Sequence, residues 1–385
     1  MFRFLHLADV HLGTKPLYLG SLAGDRSRDF LDAFQRAVDF AVSPSNKIDA
    51  VVIAGDFFDT AIPSEDVLRF AVAQLKKLRA RKIPVLLVPG NHDNVSVPGS
   101  VYAAPASEIR TEVCFPSSPQ VTHLTTLYAD DQVVHFYGMA WDVYHSKPPY
   151  DRFKAVDEPG HHVVILHGTI LGSKFADAYS REVPLQASEL SGSGMDYIAL
   201  GHLHSFQQIH AGRIPVVYPG SLEGKRFAPS EEGDRYLVAV TLEEGKSPLI
   251  ETEIWNRRKL ENKQLNLDHE GVENDEELAN LIRARFADRS KLFHLELTGI
   301  PDFVIDIENL KTRLSGEFYW FDVQDHTEVL GSQLIEAWKD EETIRGLFVR
   351  KLQEKLLNAD SEEQKATIEL TMKLAVQAFQ KSMAR

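Results

Sequence analysis

Short apolar runs, each followed directly by polar residues, recur along the first two hundred residues. The first three runs begin at Phe2, Ala50 and Pro84 and read FRFLHLA, AVVIA and PVLLV. Runs of this length that end in turn residues predict buried β-strands. Between them, the segments Arg28–Phe40 and Ser64–Ala80 place apolar residues at helical spacing. The alternation of strand and helix predicts an α/β domain.

Later apolar runs predict a second set of strands. They lie at Val121–Leu127, Val133–Met139, His162–Leu166, Tyr197–Leu200, Phe206–His210, Val216–Tyr218, Arg235–Leu242 and Leu249–Ile254. Strands in both halves of this segment predict two β-sheets that face each other and are flanked by helices. The chain becomes more charged near residue 255. We therefore predict a main domain at 1–255, a small α/β domain at 256–330 and C-terminal helices at 331–385.

Composition limits the possible partners and the compartment. The formal net charge of −14 argues against a broad basic surface and lowers the expectation of non-specific DNA binding. It does not exclude a nuclease whose metal ions and local basic residues neutralise phosphates. The single cysteine, Cys114, excludes an internal disulfide and suits a reducing cytoplasm. No run of eighteen apolar residues occurs, so we expect no membrane span and a cytoplasmic protein.

Residues that can bind metal ions stand directly after five of the predicted strands. The five motifs are Asp9-x-His11, Gly55-Asp56, Gly90-Asn91-His92-Asp93, His167-Gly168 and Gly201-His202-x-His204. Ligands of α/β sheets bind beyond the carboxyl ends of strands, so these side chains are expected to converge. Imidazole nitrogens and hard oxygens without a thiolate suit manganese, iron, zinc or magnesium.

A site of this composition could hold two cations. Two ions about 3.5–4 Å apart clamp the attacking and the leaving oxygen of a phosphoryl transfer. Asp56 is the natural bridging ligand, and a water shared by two cations is hydroxide-like near neutral pH. No protein nucleophile is then required. Each motif alone is also typical of a polar turn, so the prediction depends on all five together.

These motifs, in this order, resemble the calcineurin-like metallophosphoesterases over about residues 1–225. The resemblance implies a four-layer α/β fold and a centre for two divalent ions, most readily manganese. One metal site would consist of Asp9, His11, Asp56 and His204, and the other of Asp56, Asn91, His167 and His202. His92 matches the residue that contacts the phosphate and protonates the leaving oxygen. Asp93 matches the residue that orients this histidine.

Within this family, LHLADVHLG, VVIAGDFFD and VVYPGSLEGKRF are similar to SbcD-type nuclease subunits of DNA double-strand-break repair complexes. That similarity implies exonuclease or endonuclease activity on DNA. It also implies a capping domain at 256–330 that contacts DNA, and C-terminal helices that dock on an SbcC-like coiled-coil ATPase. A homodimer is implied by helices near Val97–Ala106. Asp59 stands where some archaeal and eukaryotic relatives carry a histidine.

Five further residues are candidates for contacts with DNA phosphates. Lys15, Tyr18 and Arg26 follow the first motif, and Lys225 and Arg226 follow Pro219-Gly220-Ser221. Solvated loop residues are the alternative interpretation. Two other functions also fit the sequence, a phosphoesterase for small nucleotides or phosphoproteins and a non-catalytic subunit that binds a partner. The apolar stripes of the C-terminal helices fit either a docking site or a hairpin packed on its own domain.

Overall fold

The computed structural model describes residues 1–103, 107–116, 118–140, 154–176, 184–301, 303–327, 335 and 337–383. The chain divides into two compact units, Met1–Lys259 and Leu260–Arg385. This division lies close to the boundary predicted at residue 255. The boundary predicted at residue 330, and residues 104–106 of the segment expected to form a dimer, lie outside the described residues.

Strands and helices alternate in the first half of the first unit, and strands dominate the second half. The strands are β1 (Phe2–Leu7), β2 (Ala50–Ala54), β3 (Val85–Val88), β4 (Thr122–Ala129), β5 (Gln132–Gly138), β6 (His161–His167), β7 (Thr169–Ile170), β8 (Pro184–Leu185), β9 (Tyr197–Gly201), β10 (Gln207–Ala211), β11 (Ile214–Tyr218), β12 (Tyr236–Leu242) and β13 (Leu249–Ile254). The α-helices are α1 (Ala23–Val42), α2 (Glu65–Ala80), α3 (Glu108–Glu112) and α4 (Ala187–Leu190).

Two large sheets organise the first unit. Within the described residues, one has the strand order β13-β12-β1-β2-β3 and the other β10-β11-β9-β6-β5-β4. Strands β1, β2 and β3 are parallel, with Ala54 opposite Val88. Strands β6 and β9 are also parallel, with His167 opposite Gly201. Each set of parallel strands therefore ends at one edge of its sheet.

The alternation of side chains along β1 explains the layers. Phe2, Phe4 and Ala8 face the second sheet and pack against alternate residues of β5, β6 and β9. Leu5 and Leu7 point the other way and pack under α1 and α2. A third apolar cluster covers the outer face of the second sheet beside α4. The unit is thus a four-layer α/β fold with two facing β-sheets flanked by helices, as predicted.

The second unit has its own sheet and core. It contains the strands β14 (Lys259–Asn266), β15 (Asp288–Thr298) and β16 (Phe318–Asp325) and the helices α5 (Asp275–Phe286), α6 (Ile307–Arg313), α7 (Ile344–Leu357) and α8 (Glu362–Met383). In the described part the sheet order is β14-β15-β16, and residues of α5 and α6 contribute to its apolar core. Asn274 caps α5 by accepting a hydrogen bond from the backbone N–H of Glu277. Helices α7 and α8 contact each other through Phe348 and Phe379.

Candidate metal centre

The five motifs lie at the carboxyl ends of five parallel strands. Strands β1, β2 and β3 lead into them from the first sheet, and β6 and β9 from the second. Because the two sheets face each other across a shared core, the motif side chains meet between the sheet edges. The convergence that the strand pattern predicts is therefore present in the structure.

The first group of ligand atoms consists of Asp9, His11 and His204, whose ligand atoms lie within 4.8 Å of one another. The Nε2 atoms of His11 and His204 are 3.2 Å apart. The Nε2 atom of His11 also lies 3.7 Å from Oδ2 of Asp56. Asp9 and His11 are fully buried. These residues match the first predicted metal site.

A second group of ligand atoms lies on the other side of Asp56. Nε2 of His167 is 2.9 Å from Oδ1 of Asn91 and 3.6 Å from Oδ2 of Asp56. Nδ1 of His202 lies 3.2 Å from both of the other two atoms, Oδ1 of Asn91 and Nε2 of His167. Oδ2 of Asp56 is therefore close to both groups, which is the position of a bridging ligand.

The tautomer of His167 is the one that a cation site in the second group requires. Its Nδ1 lies 2.9 Å from the carbonyl oxygen of Ala54, which only accepts, so Nδ1 carries the proton. Nε2 then presents a lone pair to the oxygen of Asn91 and to the carboxylate of Asp56. A cation between these electron pairs would remove their mutual repulsion. The donor set fits a divalent ion with nitrogen and oxygen ligands.

The first group follows the same logic. Nδ1 of His204 lies 3.2 Å from Oε1 of Glu231, and Nδ1 of His11 lies 3.1 Å from Oδ1 of Asp59. Each carboxylate lies at ion-pair distance from Nδ1 and favours the tautomer with the proton on that atom, which leaves the inward Nε2 as a lone pair. The two facing Nε2 atoms therefore also fit a shared cation.

Burial sets the charge state of these side chains. It lowers the pKa of His11 to about 4 and that of His202 to about 3, and it also lowers the pKa of His167. Burial raises the pKa of Asp56, but the neighbouring His167 and His11 outweigh it and lower the pKa to about 2. Burial raises the pKa of Asp9 to about 7, and a bound cation would oppose that change. Neutral imidazoles beside ionised Asp56 are the forms that bind divalent ions.

Left-handed backbone conformations bring several of these residues into the centre. The φ angles of Asp9, His11, Asp56 and His202 are 50°, 48°, 50° and 101°. Such angles are strained for residues with a side chain and cluster at functional sites. The Asp9 carboxylate holds the geometry by accepting a hydrogen bond from the backbone N–H of His202 at 3.0 Å.

Two glycines permit close packing of the strand ends at the centre. A Cβ atom at Gly90 would lie 2.2 Å from Oδ1 of Asp56, and one at Gly201 would lie 1.8 Å from the carbonyl oxygen of Ala54. No real Cβ occupies such space without moving the backbone or the ligand. The motif glycines are therefore required by packing against the ligand residues.

His92 lies at the solvent side of the centre. Its side chain is 37% exposed, and its ring centroid is 4.7 Å from that of His11. Nδ1 donates to the carbonyl oxygen of Asp59 at 3.0 Å, and the backbone N–H donates to Oδ1 of Asp56 at 2.9 Å. The ring is thus both held in place and accessible to a substrate.

Asp93 has a different role from the one predicted. Its carboxylate accepts hydrogen bonds from the backbone N–H groups of Gly90, Phe57 and Phe58 and from the hydroxyl of Tyr102, at 2.7 to 3.1 Å. The His92 ring is held instead by the carbonyl of Asp59. Fully buried Asp93 therefore ties together the two loops that carry Asp56 and Asn91, and it does not orient the histidine ring.

Arg26, predicted to contact DNA, is fully buried. Its guanidinium donates to Oε2 of Glu223 at 2.7 Å, to Oδ2 of Asp29 at 3.1 Å and to the carbonyl oxygen of Gly224 at 2.6 Å. Burial lowers its pKa, but Glu223 and Asp29 raise it further, so Arg26 stays charged. The prediction was wrong because two of these partners, Glu223 and Gly224, lie 197 and 198 residues away in sequence and leave no local signal.

The other basic candidates divide into two groups. Lys225 and Arg226 line a cavity of about 220 Å³, together with Asp56, Asn91, His92, His202, His204 and Glu231. Nζ of Lys225 lies 2.6 Å from Oδ1 of Asp59, and Nε of Arg226 lies 3.4 Å from Oε1 of Glu231. Tyr18 donates from its hydroxyl to the carbonyl oxygen of Lys225. Exposed Lys15 is not among the described residues that line this cavity.

Two carboxylates of the centre had no assigned role in the sequence. Asp59 contacts His11, Lys225 and His92, and Glu231, although only 1% exposed, contacts His204 and Arg226. Asp59 follows the Gly55-Asp56 motif closely, and this position in the sequence could have indicated that it lies at the centre. Glu231 lies in a Pro-Ser-Glu-Glu-Gly stretch that is typical of a solvated turn, so nothing local distinguishes it.

Comparisons with known proteins agree with this geometry. The family model described as calcineurin-like phosphoesterase matches residues 2–206. Uncharacterized metallophosphoesterase YhaO of Bacillus subtilis is 30% identical over 244 residues, which are 62% of this chain and 57% of that protein. DNA double-strand break repair protein Mre11 of Thermoplasma acidophilum is 27% identical over 229 residues, 57% of this chain and 56% of that protein. The chain spans little more than half the length of these relatives.

A crystal structure of a dimetal phosphatase from Danio rerio aligns with 65% of this chain and 95% of its own, at 13% identity and a TM-score of 0.38. The family model covers more than half of the chain and all the strands that lead into the five motifs. The predicted resemblance to this family is confirmed, and the chain belongs to the calcineurin-like phosphoesterases.

Proposed function

We propose that the protein is a metal-dependent phosphodiesterase that cleaves DNA, as the nuclease subunit of an SbcCD-like repair complex. The observation that carries the chemistry is the convergence of two sets of lone pairs on Oδ2 of Asp56. The name of the Mre11 relative supports DNA as the substrate. Lys225 and Arg226 support it too, because they place two cations beside the centre of an acidic chain.

Each ligand residue has a proposed place. Asp9, His11, Asp56 and His204 would hold one cation, and Asp56, Asn91, His167 and His202 the other. We propose manganese, with magnesium, iron or zinc as alternatives that nitrogen and oxygen ligands also accept. When bound, the cations would supply Lewis acidity to the phosphate oxygens and to an attacking water.

His92 is the proposed general acid. The carbonyl of Asp59 holds Nδ1–H, so Nε2 is the atom that can carry a proton to the leaving oxygen. Lys225 and Arg226 are proposed to bind the non-bridging phosphate oxygens, and the adjacent carboxylates of Asp59 and Glu231 keep these cations in place until a phosphate arrives.

The second unit supplies the proposed partner contact. On α7 and α8, large apolar side chains are exposed, with Ile344 81%, Leu347 52% and Leu357 87% exposed. This supports docking of the C-terminal helices on an SbcC-like coiled-coil ATPase. Contact of the capping region with DNA, a homodimer and a cytoplasmic location remain proposals that follow from the SbcD-type resemblance. Within the described residues, no helix combines the length and the apolar character needed to cross a bilayer.

Digestion of an end-labelled linear DNA duplex with manganese tests the proposal. The unchanged chain is compared with Asn91→Ala and His92→Ala, and with His210→Ala, which alters an exposed histidine on β10. We expect cleavage to fall about 100-fold or more in the first two variants and to persist in the third. Cleavage that survives Asn91→Ala would contradict the metal assignment.

The size of the cavity favours one alternative, a phosphoesterase for small nucleotides. A volume of about 220 Å³ is enough for a phosphate and part of a sugar. In that case the chain would hydrolyse a small phosphodiester and leave both duplex and single-stranded DNA intact. The proximity of the seven proposed ligand residues argues against a non-catalytic binding subunit.

A further inference from the structure

An aromatic pair lies beside the cavity that holds the candidate centre. Phe227 directly follows the cavity residues Lys225 and Arg226, and its ring centroid is 6.2 Å from that of Tyr18, with the planes at 69°. Tyr18 lies on the short 3₁₀ helix Leu17–Leu22 that follows the first metal motif. The pair therefore joins two loops that both leave the centre.

Tyr18 is partly exposed to solvent beside the cavity. Its hydroxyl donates to the carbonyl oxygen of Lys225 at 3.2 Å, which occupies the only group that could serve as a phosphate donor. The residue nevertheless remains 45% exposed, and burial of its phenol raises the pKa to about 12, so the ring is neutral. The ring is held at its hydroxyl and supported by half-buried Phe227. It therefore loses little further conformational freedom when it binds a ligand.

We infer that Tyr18, supported by Phe227, stacks with an unpaired nucleobase next to the phosphate bound by Lys225 and Arg226. This inference rests on the proposed function and names its substrate class, an unpaired strand or a frayed end. Bases inside a duplex are covered on both faces by their neighbours, whereas an unpaired base offers a π-face to an aromatic side chain. The cationic residues and the ring then read the backbone and the base of adjacent nucleotides without selecting a sequence.

The test compares two single-stranded oligonucleotides, one of normal composition and one in which every internal nucleotide is abasic. KM for manganese-dependent cleavage is measured for the unchanged chain, Tyr18→Leu, Tyr18→Trp and the neighbouring control Leu17→Ala, which alters a side chain that is 77% exposed. We expect Tyr18→Leu to raise KM about tenfold on the normal strand and to change it little on the abasic strand. Tyr18→Trp should retain the preference for bases, and Leu17→Ala should behave as the unchanged chain.

Quenching of 2-aminopurine in the bound strand gives a second readout that does not depend on turnover. Tyr18→Leu should lose the quenching, whereas Tyr18→Trp should keep it. Equal KM values of Tyr18→Leu and the unchanged chain, or equal losses on both oligonucleotides, would overturn the stacking role and leave the nuclease proposal standing. Failure of the unchanged chain to bind or cleave either oligonucleotide would overturn the nuclease proposal, and the stacking role with it.

Discussion

At the scale of single residues, the centre depends on carboxylates that need not touch a metal. Oε1 of Glu231 lies 3.2 Å from Nδ1 of His204, and Nε of Arg226 lies 3.4 Å from the same oxygen. Burial lowers the pKa of His204, but Glu231 outweighs it and raises the pKa. Burial raises the pKa of Glu231, but His204 lowers it to about 2, so the carboxylate stays ionised. Glu231 therefore pairs with both a ligand histidine, at its Nδ1, and a basic residue of the cavity.

The substitution Glu231→Gln keeps the shape of the side chain and removes its negative charge. We expect affinity for manganese to fall about tenfold, because partners of this kind orient ligand histidines and increase their basicity. Calorimetric titration of the metal-free protein measures the change, with Glu232→Gln as the neighbouring control. Equal affinities of the two variants would show that Glu231 acts on folding alone.

At the scale of secondary-structure elements, local pattern predicted most of the first unit. The observed strand Ala50–Ala54 and helix Glu65–Ala80 match their predicted positions. They could be predicted because apolar periodicity and bounding glycines or prolines are local properties of the sequence. Strand Lys259–Asn266 was not predicted, since its charged residues interrupt the alternation. The ligand side chains were predicted because each follows a strand. Glu231 and the pairing of Arg26 with Glu223 were not predicted, because contacts between residues far apart in sequence leave no local pattern.

The ion pairs of Arg26 anchor the start of α1 to the loop that carries Lys225. Removing one partner of a buried pair leaves an uncompensated charge, so Arg26→Met should destabilise the fold by about 3–5 kcal/mol. Arg28→Met, which alters an exposed arginine in the same helix, should change the free energy of unfolding by less than about 0.5 kcal/mol. Urea denaturation measures both. Loss of DNA affinity with unchanged stability in Arg26→Met would restore the direct contact that the structure contradicts.

His6 makes strand β1 sensitive to acid. Its ring lies between the sheets, 2.9 Å from the hydroxyl of Tyr197, and burial lowers its pKa from 6.5 to about 3. The neutral form is therefore favoured in the fold, and this contribution is complete above pH 6.5. As the pH decreases from 6.5 to 3, the unfolded chain binds a proton at His6 and the folded chain does not. The free energy of unfolding therefore falls by up to about 1.4 kcal/mol per pH unit.

The variant His6→Gln can still bond to Tyr197 and cannot titrate. Its stability should depend less steeply on pH in this window, as measured by urea denaturation at several pH values. His210→Gln, at an exposed position on β10, should keep the slope of the unchanged chain. Identical slopes for His6→Gln and the unchanged chain would mean that the buried imidazole is not the group responsible.

At the scale of the whole molecule, an acidic chain must bind a polyanion through a small patch. With a net charge of −14, long-range attraction to DNA is weak, and affinity has to come from the cations at the centre and from the few basic residues beside it. Few basic residues mean few neutralised phosphates, and each neutralised phosphate of a single strand contributes about −0.7 to the slope of log affinity against log salt. The dependence of affinity on salt should therefore be shallow.

Arg226 offers the direct test, since its side chain is 63% exposed and lines the cavity. Arg226→Gln should reduce the slope of log affinity against log salt by about 0.7 and weaken all strand sequences alike. Fluorescence anisotropy with a labelled single strand measures the slope, and Lys15→Gln, on the exposed loop away from the cavity, is the matched control. A larger change for Lys15→Gln than for Arg226→Gln would place the strand along the loop after the first motif. The phosphate path would then bypass the cavity, and the assignment of Lys225 and Arg226 would fail with it.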